Sequence, residues 1–190
     1  MALLESTMGP LGSPCPPFDL PGVDGRHHHR DDFSAPALLV VVMCNHCPYV
    51  QAVDDRINAL ARDYAGRCDV VALNPNDAVA YPDDSFAAMK ARAAAKGYAF
   101  PYLHDEDQAV ARAFGAVCTP DFFLYDPHRR LAYRGRLDDS WKDPAAVRRQ
   151  DLREALDAVL AGRAPSPEQN PSMGCSIDRK STRLNSSHRL

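Results

Sequence analysis

The sequence predicts an α/β domain built on a mixed β-sheet, and three features carry that prediction. Residues 37–43 form an unbroken apolar, largely β-branched run whose length suits a central strand buried on both faces. Short apolar strands then alternate with helical periodicity, the pattern of strand–helix–strand units. Near the end, residues 122–125 and 131–137 flank Asp126-Pro127-His128 and read as an antiparallel hairpin at one side of the sheet.

The elements follow in order. The opening Gly12-Ser13-Pro14-Cys15-Pro16-Pro17-Phe18-Asp19-Leu20 is rich in proline and turn formers, so an extended lead-in is expected, ending in a turn at Val23-Asp24-Gly25. After the 37–43 strand, Val50, Val53, Ile57, Leu60 and Tyr64 recur at spacings of three and four and predict an amphipathic helix that stops at Gly66. Residues 70–73 predict a second strand, broken by Asn74-Pro75-Asn76-Asp77. Ser85 suits the N-cap of a helix that Gly97 closes. Asp107 suits the cap of a shorter helix that ends at Gly115. Leu152, Leu156, Val159 and Leu160 mark a last helix before Gly162. The expected order is β-α-β-α-α-β-β-α, with no internal repeat.

Composition narrows the class. The 190 residues suit one domain, placed at 1–162, and the apolar and charged fractions of 45% and 25% are those of a globular chain. A net charge of −3 argues against a nucleic-acid partner. The apolar run is far shorter than the roughly 20 residues that span a bilayer, so no membrane partner is expected. The N-terminus lacks a basic stretch followed by an apolar one, which leads to the expectation of a cytoplasmic protein. Six cysteines are too few for a disulfide scaffold; in a reducing compartment a close pair points instead to catalysis or metal binding.

That pair is Cys44-Asn45-His46-Cys47, at the junction of the central strand and the following helix. Backbone N–H groups at such a junction stabilise thiolate over thiol. CxxC thiols of this type reach pKa values of roughly 3.5–7.5, against about 8.5 for an isolated cysteine. A cysteine three residues on can attack a mixed disulfide from within. Cys44 is therefore expected to be the exposed nucleophile, Cys47 the shielded resolving thiol, and His46 a donor that favours the reduced form and makes the pair more oxidising. Two alternatives stay open. Zinc usually needs four ligands, and Cys15, Cys68, Cys118 and Cys175 are scattered, so no metal or other cofactor is expected. Two inert core cysteines would explain the spacing as well.

A second signal is Cys118-Thr119-Pro120 just before an apolar strand. A central strand rarely tolerates proline, and a cis Thr119–Pro120 bond in a tight loop explains it. Such a loop can offer the Thr119 backbone to an extended substrate chain beside the thiols. Asn45, Thr119 and Pro120 are thus the candidate substrate-binding residues. Cys118 is a possible accessory thiol, although a buried filler is its plainer role.

Taken together, the Gly12–Gly22 lead-in, Cys44-Asn45-His46-Cys47-Pro48-Tyr49-Val50 and the Thr119-Pro120 loop resemble the redoxin branch of the thioredoxin superfamily, the alkyl hydroperoxide reductase and thiol-specific antioxidant (AhpC/TSA) group. Within it the chain resembles small bacterial thioredoxin-like proteins carrying CNHCPYV. The resemblance covers about residues 11–160. It implies a thioredoxin-like fold, a redox-active dithiol at Cys44 and Cys47, a cis proline at Pro120 and an antioxidant role. The expected activity is disulfide exchange with protein disulfides or small thiols, with a thioredoxin- or glutathione-type reductant. Met43 stands where thioredoxins usually have Trp, so the partner surface is expected to differ. A peroxiredoxin-like peroxidase is the rival. Cys47-Pro48 fits it, but the threonine such enzymes place three residues before the reactive cysteine is here Cys44, or Val41 if Cys44 were the reactive one. A redox-inactive binding module on the same fold is the third reading.

Weaker signals remain. His27-His28-His29 reads as a solvated loop, because three adjacent imidazoles cannot face one ion. Asn74-Pro75-Asn76-Asp77 ends a strand on the side where sites of α/β sheets lie. Trp141 is expected beneath the last helix. Residues 163–177 read as a flexible tail, with Cys175 a possible extra resolving thiol. The subgroup's usual Gly-Cys-Ser-Ile is present as Gly174-Cys175-Ser176-Ile177. Residues 178–190 then diverge and resemble one reading frame of a sequencing-adapter oligonucleotide, so they are expected to be non-native.

Overall fold

A computed structural model of the chain describes residues 2–180. Its centre is a five-stranded sheet in the order β6-β5-β4-β8-β9. The strands are β4 (Ala37–Val42), β5 (Cys68–Asn74), β6 (Tyr102–His104), β8 (Asp121–Tyr125) and β9 (Leu131–Gly135). β4, β5 and β6 run parallel, and β8 and β9 complete the sheet antiparallel. All six residues of β4 are buried. Side chains alternate across a strand, so Leu39 and Val41 enter one core layer and Leu38, Val40 and Val42 the other. The first layer packs Ile57, Leu60, Leu152 and Leu156 from helices α2 (Asp54–Asp63) and α5 (Asp151–Leu160). The second packs Phe18, Ala111 and Phe114, the last two at helix α4 (Ala109–Ala113). Each fully buried aliphatic or aromatic side chain contributes about 1.5–3 kcal/mol.

The helix α3 (Phe86–Lys96) starts as expected: Ser85 Oγ accepts from the Ala88 N–H, and Gly97 closes it in the left-handed region. Several expectations are revised. The 50–66 helix is two pieces, α1 (Pro48–Gln51) and α2, broken where the Val53 N–H turns to Val50 O. β6 was not anticipated, because three residues beside Pro101 are too few to show periodicity. His27–His29 is strand β3, paired with β2 (Asp19–Pro21), and His28 is buried with its Nε2 on Asp24. Trp141 packs on Tyr49, ring centres 4.2 Å apart, not beneath α5.

The largest revision is the tail. Residues 173–176 form strand β10 (Met173–Ser176), which lies antiparallel between β1 (Leu3–Glu5) and β7 (Cys118–Thr119). A composition rich in proline, serine and asparagine hides this strand because its pairing partners are distant in sequence. Ser172, Cys175 and Ile177 are buried there. Asp178, Arg179 and Lys180 bond Asn76, Ala116 and Gln108. The remainder of the adapter-like segment lies outside the described residues. No helix among the described residues is long and apolar enough to cross a membrane.

Candidate active site

The site forms where β4 ends. Met43 still bonds Leu73 O as though in the strand, and the chain then turns through Cys44, Asn45 and His46. Cys47 is the N-cap of α1, and Pro48 occupies the first helical position, where its missing N–H leaves no gap. Opposite stands the Thr119–Pro120 peptide, which is cis, as expected. Cys44 Sγ lies 3.4 Å from Thr119 Oγ1, and Cys47 Sγ lies 3.2 Å from Thr119 O. The structure therefore brings Cys44, Cys47, Thr119 and Pro120 together.

The two neighbouring sulfurs are pushed in opposite directions. The Cys44 thiol first, then Cys175, Thr119 and the Val50 N–H, lowers the Cys47 thiol to about 5 against the opposing effect of burial. The Thr119 carbonyl also opposes ionisation, but one carbonyl faces several donors. Cys44 is raised well above the usual thiol range, first by the Cys47 thiol, then by burial and by the Asp84 carboxylate. Both residues are 0% exposed. This corrects one expectation: Cys44 is buried, not exposed, and the surrounding donors favour ionisation at Cys47.

His46 offers a ring nitrogen within 4.8 Å of Cys44 Sγ. Its Nδ1 is hydrogen-bonded to Asp84, and its ring stacks on Tyr81 with centres 4.2 Å apart. Asp84, in the 3-10 turn Pro82–Asp84, is fully buried. Its oxygens also accept from the Asn45 N–H at 2.6 Å, Asn74 Nδ2 at 3.4 Å and Asn76 Nδ2 at 3.0 Å. Asn74 and Asn76 thus belong to the site, one shell behind the thiols. Asn45 braces the loop. Its Nδ2 donates to Asp83 O, its Oδ1 accepts from Tyr102, and its carbonyl accepts from Gln51.

Sequence reasoning missed Asp84 and Tyr81; Pro82-Asp83-Asp84 was visible only as a polar loop. Cys44, His46 and Asp84 offer donor atoms within 4.8 Å of one another and are the residues that could hold a metal ion. Both Asp84 oxygens already accept protein hydrogen bonds, so an ion would displace one of them. Cys118 is fully buried, and burial first, then Asp121, pushes its thiol upward, away from the thiolate form. Cys175 lies beside Cys47 and is raised to about 12, chiefly by burial and by the Cys47 thiol. A groove of about 280 Å³ opens next to Pro120, with Tyr49, Phe122, Trp141 and Met173 in its wall.

Residues 11–134 match the AhpC/TSA family. The chain belongs to that family. Two solved structures resemble it along nearly their whole length. A hypothetical protein from Sinorhizobium meliloti is 43% identical over 93% of this chain and 98% of its own, with a TM-score of 0.89. An uncharacterized conserved protein from Geobacillus kaustophilus is 44% identical over 96% and 98%, with a TM-score of 0.90. A secreted disulfide oxidoreductase from Mycobacterium tuberculosis is 15% identical over 76% and 95%, with a TM-score of 0.56, and shares the fold. No curated protein sequence matches the chain. The AhpC/TSA chain is thus a thioredoxin-like domain, a mixed sheet flanked by helices.

Proposed function

We propose that this AhpC/TSA-family chain is a thiol–disulfide oxidoreductase working through Cys44 and Cys47. The observation that supports the reading best is the convergence of both sulfurs on Thr119 of the cis-proline loop, Cys44 Sγ 3.4 Å from its Oγ1 and Cys47 Sγ 3.2 Å from its carbonyl oxygen. An ionised and a protonated sulfur in contact are what disulfide exchange needs. Cys47 thiolate attacks one sulfur of a partner disulfide, a mixed disulfide forms, and one partner thiolate leaves. Cys44 loses its proton, attacks Cys47 Sγ and releases the second partner thiolate. The partner disulfide gains two electrons, and the protein pair is oxidised to Cys44–Cys47. A small-thiol or thioredoxin-type reductant restores it. His46, held by Asp84, is placed to manage the Cys44 proton.

A partner has two approaches. The groove beside Pro120 offers aromatic and apolar contact, and the Thr119 edge offers backbone pairing. Strand β10 covers that edge, so a protein partner would have to displace it, whereas a small disulfide would not.

The peroxide-reducing reading draws on the same low-pKa Cys47. There the thiolate takes the terminal peroxide oxygen to give a sulfenic acid, and condensation with Cys44 expels water. The donors that hold the Cys47 thiolate are thiols, a hydroxyl and a backbone N–H, not a guanidinium suited to polarise a peroxide. The deciding experiment equilibrates the protein in glutathione redox buffers. A reversible two-electron couple within roughly −120 to −270 mV supports disulfide exchange. If the pair never oxidises in these buffers, the exchange reading fails; peroxide consumption then separates the peroxidase from an inert binding module.

A further inference from the structure

We propose that Cys175 is a third thiol of the redox centre, exchanging with Cys44 so that the chain's own C-terminal strand carries a Cys47–Cys175 disulfide. The proposal rests on the dithiol reading above.

The register of β10 comes first. Cys175 pairs with Thr119, and Ser176 pairs with Cys118, both antiparallel. β10 thus occupies the edge beside cis-Pro120 where an extended partner chain would lie, with a cysteine opposite the loop residue that touches both catalytic sulfurs. The fit is close: a Cβ on Gly174 would stand 1.9 Å from Thr119 O. The sulfurs come second. Cys175 is a neighbour of Cys47 close enough for each thiol to shift the other, and the Tyr49 N–H favours the Cys175 thiolate as the Val50 N–H favours that of Cys47. Two thiols on distant parts of the chain therefore converge on adjacent backbone donors. Exposure comes third. Cys44 and Cys47 are 0% exposed and Cys175 is 5% exposed, so all three thiols share one buried centre.

The exchange balances within the chain. Cys175 gives its proton to solvent, and its thiolate attacks Cys47 Sγ of the Cys44–Cys47 disulfide. The Cys44–Cys47 bond breaks, its electron pair leaves on Cys44, and Cys44 takes up a proton. One disulfide replaces another, so no outside oxidant is consumed. The outcome is to move oxidation from within the motif to the C-terminal strand.

The test uses the full chain oxidised with oxidised glutathione, quenched in acid, alkylated, digested with trypsin and mapped by mass spectrometry. Cys44 and Cys47 share one tryptic peptide, whereas a Cys47–Cys175 bond joins two, so the products are distinct. In Cys44→Ser, the linked peptide pair is expected to exceed glutathionylated Cys47 by about tenfold, because a preplaced thiol has an effective concentration in the millimolar range or above. If Cys44→Ser gives only the glutathione adduct while Cys175→Ser still forms Cys44–Cys47, the proposal is overturned and the dithiol reading survives. If no protein forms an intramolecular disulfide, the dithiol reading has failed and the proposal with it. Wild type, mapped in the same way, covers the case in which Cys44→Ser does not fold: the linked pair supports the exchange, and Cys44–Cys47 alone at full oxidation overturns it.

Discussion

The reduced protein should become more stable between pH 6 and pH 8, and Cys47 should be the cause. Its thiol falls from 9.0 to about 5 on folding. A depressed acid contributes stability that is fully present above its unfolded pKa and is lost as pH falls through its folded pKa. The active window is therefore about 5 to 9 for this group. Each pH unit inside it is worth about 1.4 kcal/mol, so the rise from pH 6 to 8 is roughly 3 kcal/mol. Asp121 acts with the opposite sign: burial raises it from 3.8 to about 6, so its contribution is lost as pH rises through that range. Working above pH 6 places most of its titration outside the window, and a reference variant removes the remainder. The assay is urea denaturation under a phosphine reductant at pH 6, 7 and 8, on wild type and Cys47→Ser, with thiolate ultraviolet absorbance followed in parallel. Wild type should gain roughly 3 kcal/mol over Cys47→Ser across the window. Parallel pH profiles for the two proteins, or thiolate absorbance that first appears near pH 9, would refute the assignment.

Other perturbations follow from buried contacts. Arg134 Nη2 donates to Asp121 Oδ2 at 3.0 Å, with both side chains buried; Arg134→Met should cost about 3–5 kcal/mol in denaturant midpoints, and Asp121→Asn in the same chain should recover part of it. Gly174→Ala cannot keep the β10–β7 register, given the 1.9 Å approach to Thr119 O; limited proteolysis should cut residues 163–177 faster than in wild type, and equal rates would show that the strand is not held there. Asp84→Asn removes a charge that raises the Cys44 thiol and places an amide NH2 among donors. In a Cys47→Ser background, Cys44 should then titrate lower, and the fold should lose about 1–3 kcal/mol.

The legible parts of the fold are those whose signal is local. The run ending at Val42 has only one burial solution, and Ser85 and Gly97 mark a helix through their own backbone chemistry. The Cys44–Cys47 spacing and Thr119-Pro120 were legible for the same reason. What stayed hidden depends on pairing between distant segments. Three-residue β6 and four-residue β10 have too few side chains to show a period, and each exists because a neighbour offers a backbone edge. The site divides along the same line. Cys44, His46 and Cys47 are visible as a motif, but Asp84 becomes meaningful only when its turn folds under Asn45, and Cys175 only when β10 closes on Thr119.

That division also bears on which of the two thiols ionises. The motif alone places both cysteines at a helix start and leaves order to decide which one ionises. In the folded chain Cys47 is the N-cap of α1, where the Val50 N–H favours its thiolate, whereas Cys44 sits three residues before that cap and within the field of Asp84. Asp84 is fixed by His46 and three amide donors, so it cannot turn away from Cys44. A carboxylate locked beside one sulfur and backbone donors locked beside the other set the asymmetry before any partner arrives. Donor geometry, not position in the motif, therefore favours the thiolate at Cys47, the sulfur with which the proposed third thiol of β10 would exchange.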